Sequence, residues 1–173
     1  SSAASDVYKR QGVTNANINM IGNITTSGSD RIYPAIGIGL ENSDFNITTM
    51  TGNIITTGTA SMGVLLKEGS DSNTINLTGN ISTSGISAHT VEILGSNDNT
   101  TSITGNISTT GVDADAVRIS GGDRNTLNVV GDISATNGGG FYIDLSDENT
   151  INITGNTTVG GSSDSAFDIN QSN

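Results

Sequence analysis

Few side chains in this 173-residue chain could do chemistry, and most of those recur at a fixed spacing. Asp44, Asp71, Asn97, Asp123 and Asp147 each stand eight positions before Gly52, Gly79, Gly105, Gly131 and Gly155 respectively. Carboxylates brought into line at strand spacing repel one another unless screened, hydrogen-bonded to backbone amides or bridged by a cation. An oxygen-rich loop of this kind suits calcium, with Asp44, Asp71, Asp123 and Asp147 as candidate ligands. No second set of ligands recurs with them. The preferred expectation is therefore an Asx turn, each Asp accepting a bond from its own loop, with no cofactor.

The only histidine, His89, falls one repeat before Asp115, and Met62 holds the same place one repeat earlier. An imidazole beside a carboxylate is a general acid/base arrangement. Met62 shows that the position accepts an inert side chain, so a loop-filling column is expected. Glu92 and Arg118 are expected to face outward on adjacent repeats as an exposed ion pair of little energetic weight. With Lys and Arg together numbering six and no cysteine, no catalytic residue is assigned and no enzyme is expected. A stacked β-array has enough cooperative burial to do without disulfides.

These residues must be positioned by a repeat. Asn73 to Gly95 reads NTINLTGNISTSGISAHTVEILG, and imperfect copies surround it. They are centred on Gly22, Gly52, Gly79, Gly105, Gly131 and Gly155, at intervals of 30, 27, 26, 26 and 24 residues. Such a period marks a solenoid, in which each unit buries its apolar face on its neighbours. Within each unit, period-2 alternation outlines three strands. The first carries Ile18 and Met20, Ile75 and Leu77, Leu127 and Val129, Ile151 and Ile153. Two weaker units have Thr48 before Met50 and Thr101 before Ile103. The second points Ile24, Ile54, Ile81, Ile107, Ile133 and Thr157 inward, followed by Thr26, Thr56, Thr83, Thr109, Ala135 and Val159. The third carries Ile36, Ile38 and Leu40 in the first unit, then Val64 and Leu66, Val91 and Ile93, Val117 and Ile119, Phe141 and Ile143, Phe167 and Ile169.

Gly-Asn and Gly-Asp replace the Asn-Gly and Asp-Gly of hairpins, which argues against antiparallel pairing. The expected fold is all-β: a single-stranded parallel β-helix with three short strands per coil and about six coils of ~26 residues. Six positions after each central glycine, Gly28, Gly58, Gly85, Gly111, Asn137 and Gly161 are expected to take left-handed backbone. Asn46, Asn73, Asn99, Asn125 and Asn149 are expected to form a structural amide ladder, with a second at Asn23, Asn53, Asn80, Asn106, Asp132 and Asn156. The ladder also accounts for the N-x-S/T triplets at Asn76, Asn80 and Asn106 without glycosylation.

Residues 1–12 are set aside as a non-native or disordered lead-in, because Asp6 to Gln11, DVYKRQ, resembles the translation of a sequencing adapter. Residues 13–173 form the repeat, expected to be a fragment truncated at both ends because no capping unit stands out. A net charge of -11 with pI near 4.1 repels phosphate backbones and anionic bilayers, so neither nucleic acid nor membrane insertion is expected. No run of 18 apolar residues is present.

The repeat from Asn73 through Asn149-TINITGN resembles the low-complexity passenger repeats of bacterial autotransporters, and the likeness covers residues 13–173. It implies a secreted or cell-surface stalk, often an adhesin, anchored in the outer membrane by a barrel outside this sequence. Implied partners are host-surface or matrix glycans or proteins, and further β-helix coils of a parent chain. Two other expectations stand beside it. One is a fragment of a carbohydrate-active β-helix enzyme. The other is ice binding, since the outward Thr25, Ser27, Thr57, Ser82, Ser84, Ser108, Thr110, Ser134, Thr136 and Thr158, broken by Ile55, resemble the threonine arrays of ice-binding solenoids.

Overall fold

The computed structural model describes residues 8–28, 34–161 and 165–170. Among these residues there are only strands and turns, numbered in chain order and gathered into three parallel sheets. Sheet A contains β1 (Tyr8–Gln11), β4 (Ile38–Glu41), β7 (Val64–Lys67), β10 (Val91–Leu94), β13 (Val117–Ser120), β16 (Phe141–Asp144) and β19 (Phe167–Asn170). Sheet B contains β2 (Asn17–Ile21), β5 (Ile47–Thr51), β8 (Thr74–Thr78), β11 (Thr100–Thr104), β14 (Thr126–Val130) and β17 (Thr150–Thr154). Sheet C contains β3 (Ile24–Ser27), β6 (Ile54–Thr57), β9 (Ile81–Ser84), β12 (Ile107–Val112), β15 (Ile133–Asn137) and β18 (Thr157–Val159). The chain visits B, C and A in turn, so each strand pairs with its counterpart one coil away: a parallel β-solenoid.

Strands of three to six residues could not hold together singly; the stacking of like on like makes them stable. Ile54, Ile81, Ile107 and Ile133 pair in register and are at most 1% exposed, and Ile24 heads the column at 5%. Phe141 stacks on Phe167 with ring centroids 4.6 Å apart and planes 4° from parallel. In a coil this narrow the inward threonines cannot reach water. Thr56 and Thr83 donate instead to the carbonyls of Ser61 (3.0 Å) and Ala88 (2.7 Å) in their own loops. Thr48 and Thr101 sit in the weaker positions of sheet B, fully buried, and their hydroxyls have no partner among the described residues.

One expectation needs correction, and part of the segment set aside takes part in the fold. Tyr8–Gln11, set aside within the 1–12 lead-in, is a strand, paired parallel with Ile38–Glu41 from Tyr8↔Ile38 to Gln11↔Glu41. An open sheet edge offers unpaired N–H and C=O groups to any extended backbone, whatever its sequence. Left-handed backbone is also not general six positions after the central glycine. Gly58 (φ 119°) and Gly85 (φ 135°) have positive φ, whereas Gly28, Gly111 and Asn137 do not, and Asn137 ends β15. At Gly111 the requirement is space, since a Cβ there would overlap the Gly85 carbonyl oxygen of the coil below.

Candidate functional site: stacked polar corners and two uncharged faces

The corner between sheets A and B is where the polar residues converge. It reads NSDFN from Asn42, GSDSN from Gly69, GSNDN from Gly95, GGDRN from Gly121 and LSDEN from Leu145. Its first and fourth residues both take left-handed backbone in every coil. The first is Asn42 (φ 48°), Gly69 (71°), Gly95 (56°), Gly121 (63°) and Leu145 (50°); the fourth is Phe45, Ser72, Asp98, Arg124 and Glu148, at 54–57°. Two such reversals in five residues turn the chain sharply and aim its amides along the solenoid axis, where side chains of adjacent coils accept them.

The fifth residue is the expected ladder. Asn46, Asn73, Asn99 and Asn125 donate their backbone N–H to the Oδ1 of Asn73, Asn99, Asn125 and Asn149 at 2.8–3.0 Å. The Nδ2 of Asn46, Asn73 and Asn99 donates to the same oxygens at 3.0–3.1 Å. The second residue is a serine column that the sequence reading missed: Ser43 and Ser70 donate N–H to the Oγ of Ser70 and Ser96 (3.2 and 3.1 Å), and Gly122 to that of Ser146 (3.1 Å). The recurrent Ser before Asp was the available signal.

The acidic column is the third residue, and its bonds differ from the expected Asx turn. Each side chain accepts from the next coil, not from its own loop: Asp44 from the Asp71 N–H (2.9 Å), Asp71 from Asn97 (2.6 Å), Asn97 from Asp123 (2.9 Å) and Asp123 from Asp147 (2.8 Å). One carboxylate oxygen per coil thus satisfies an amide, which explains why Asn97 substitutes for Asp. Among the described residues no group of three or more His, Asp and Glu side chains is gathered closely enough to hold a metal ion. The second Asn column runs likewise, Asn23, Asn53, Asn80, Asn106 and Asp132 each accepting the next coil's N–H at 2.8–2.9 Å. Asp98 and Arg124, adjacent in the fourth column, form an exposed two-pronged pair at 2.7 and 2.9 Å.

His89 and Asp115 do meet. The Asp115 N–H donates to His89 Nδ1 at 2.9 Å, Asp115 Oδ2 lies 3.5 Å from Nδ1, and Arg118 Nη1 stands 3.4 Å from Nε2. The ring is 3% exposed. Burial, reinforced by the Arg118 charge, holds its pKa down from 6.5 to about 4. The imidazole is therefore neutral at pH 7 and the approach to Asp115 is not an ion pair. Glu92 corrects the expectation of an exposed pair: it is 7% exposed, its Oε1 stands 3.8 Å from Arg118 Nε, and burial pushes its carboxyl up while Arg118 opposes. Arg118 also lies 5.3 Å from the centre of the Tyr142 ring.

The depressed His89 pKa makes stability depend on pH. Between pH 6.5 and 4 the unfolded chain takes up a proton that the folded chain refuses, so stability falls as pH drops, by about 3 kcal/mol at most. Glu92 acts with the opposite sign, the folded state holding its proton to higher pH. The comparison that isolates His89 is urea unfolding of wild type against His89→Met, which copies Met62. The variant is expected to lose the decline between pH 6.5 and 4; an unchanged pH profile would refute it.

Among the described residues, charge is confined to sheet A and the corners. The strands of sheets B and C carry no Asp, Glu, Lys, Arg or His, in a chain of net charge -11. Sheet B presents Thr74, Asn76 and Thr78, then Thr100, Ser102 and Thr104, then Thr126, Asn128 and Val130, then Thr150, Asn152 and Thr154, in continuous register. Sheet C presents the Ser and Thr columns noted above, interrupted by Ile55 and by a register shift after Thr109. No protein-family model matches this chain, and comparison with curated proteins and with solved structures finds no match either.

Phe45 and Leu145 (52% exposed) are the two apolar residues of these five corners, and composition gave no reason to single out Phe45. Phe45 is 59% exposed and left-handed at φ 56°, in a column otherwise filled by polar side chains. Left-handed backbone costs a residue with a Cβ roughly 1–2 kcal/mol.

Proposed function

We propose that this chain is a non-enzymatic segment of a secreted or surface-displayed β-solenoid that serves as an adhesive stalk. The observation that carries the reading is the pair of uncharged faces, two six-stranded sheets whose outward side chains are mostly hydroxyls and amides, interrupted by Ile21, Ile47, Ile55, Val112 and Val130. Like charges in one column would repel, but opposite charges on adjacent coils serve on a sheet face, as Glu92 and Arg118 do on sheet A, and improve solubility. Equivalent groups at a strand spacing of roughly 4.8 Å present one weak contact many times, and repetition converts weak contacts into avidity. The likeness of the repeat to autotransporter passengers points the same way.

Beads coated with the purified protein, offered immobilised neutral glycans, anionic glycans and matrix proteins, test the proposal. Retention is expected on at least one uncharged surface, to persist in high salt, and to fall steeply when coils are removed from the array. Failure to adhere to any surface, or adhesion abolished by salt, would overturn it.

A further inference from the structure

We infer that the sheet B face, together with Phe45 at the corner that opens β5, is a binding strip for a neutral pyranose polysaccharide. This rests on the adhesive reading and names its ligand class. Three observations converge. The face carries no charge on a molecule of -11, so it neither attracts a cationic partner nor tolerates an anionic polymer brought close to the acidic corners. Its middle column is pre-arranged: Asn152 Nδ2 donates to Asn128 Oδ1 (2.8 Å) and Asn128 Nδ2 to Ser102 Oγ (3.3 Å), which orients amides whose remaining donors and acceptors face solvent. Sugar hydroxyls, each both donor and acceptor, are the natural complement of such groups.

The third observation is apolar. Phe45, 59% exposed, stands two residues before Ile47, which is 45% exposed in the outward column continued by Thr74, Thr100, Thr126 and Thr150. One coil in from the β2 edge, which presents Asn17, Asn19 and the exposed Ile21, the strip therefore places an aromatic ring and an aliphatic side chain beside columns of hydroxyls and amides broken only by Val130. That arrangement suits a pyranose, which has an apolar C–H face and a hydroxyl rim: one sugar packs on Phe45 while its successors lie over the Thr and Asn columns. A free second copy of this chain would be a poorer occupant, since two acidic molecules would have to bring their corners together.

Sedimentation with microcrystalline cellulose, chitin and starch granules as neutral probes, and calcium-free alginate gel as the anionic one, provides the test. Wild type is expected to co-sediment with at least one neutral polymer and not with alginate. Phe45→Ser, which installs the residue found at Ser72 one coil on, is expected to weaken that retention roughly tenfold with unchanged thermal unfolding. Asn76→Asp, on an exposed residue, is expected to weaken it as well. Retention of Phe45→Ser equal to wild type overturns the strip. So does binding to none of the neutral polymers: if beads still adhere to a matrix protein, the adhesive reading survives without this ligand, and if they adhere to nothing, both fall. Light scattering that shows Phe45-dependent dimers would assign the patch to a second copy and also overturn the inference.

Discussion

Gly105→Ala is expected to destabilise the solenoid by about 3 kcal/mol or more, whereas Gly95→Ala, ten residues away, should cost about 1. Both glycines have positive φ, 146° and 56°. Gly95 lies in the left-handed well that side-chain-bearing residues of this chain also occupy, φ 146° lies outside it, and the neighbouring coil adds a further difference. A Cβ at Gly105 would overlap the Gly79 carbonyl oxygen and stand 2.6 Å from its carbon, and both are backbone atoms fixed by the ladder. At Gly95 nothing lies within 4 Å, and Asn42 and Leu145 already hold that position in other coils. Stability in a repeat array depends on the interface between adjacent units, so one blocked contact uncouples the coils on either side. Thermal and urea unfolding of the two variants measures the difference; equal losses would refute the special requirement for glycine at Gly105.

Asn99→Leu should cost about 3 kcal/mol. Asn99 is 1% exposed and its Oδ1 accepts both the backbone N–H (2.9 Å) and the Nδ2 (3.1 Å) of Asn73. Its own Nδ2 donates to Asn125 Oδ1 at 3.1 Å. Leucine strands the Asn73 backbone N–H in the interior, at roughly 1–3 kcal/mol for an unsatisfied group, and leaves Asn73 Nδ2 with only its 2.7 Å bond to the Ser43 carbonyl. Asn106→Ala removes a comparable bond, the acceptor for the Asp132 N–H at 2.8 Å, on an exposed corner where water replaces it, and should cost well under 1 kcal/mol. Hydrogen exchange supplies the local readout: the Asn73 amide should lose protection in Asn99→Leu. If the two variants unfold alike, the inner ladder has no special weight.

The aliphatic columns were legible because burial has a period. Ile81, Ile107 and Ile133 stand two residues after Gly79, Gly105 and Gly131, and a strand that alternates inside and outside once per residue leaves them one arrangement. The Asn46 to Asn149 ladder was legible for the same reason: a polar type repeated at the coil length has to meet its copies. The candidate strip was not. Phe45 occurs in one coil, so no recurrence marked it, and its exposure depends on a backbone reversal set by the corner around it.

By itself the sequence determined which residues lie above one another, and with that the parallel solenoid, its three-sided core and its amide corners. Only the tertiary structure decided which way those stacks bond. The Asn46 to Asn149 column donates its amides toward later coils and the Asp44 to Asp147 column accepts from them, a distinction that identical spacing cannot encode. It also decided the burial of Glu92 and the pairing of Tyr8–Gln11, because an outward position is exposed or covered by what packs beside it, and an open sheet edge takes whatever backbone reaches it.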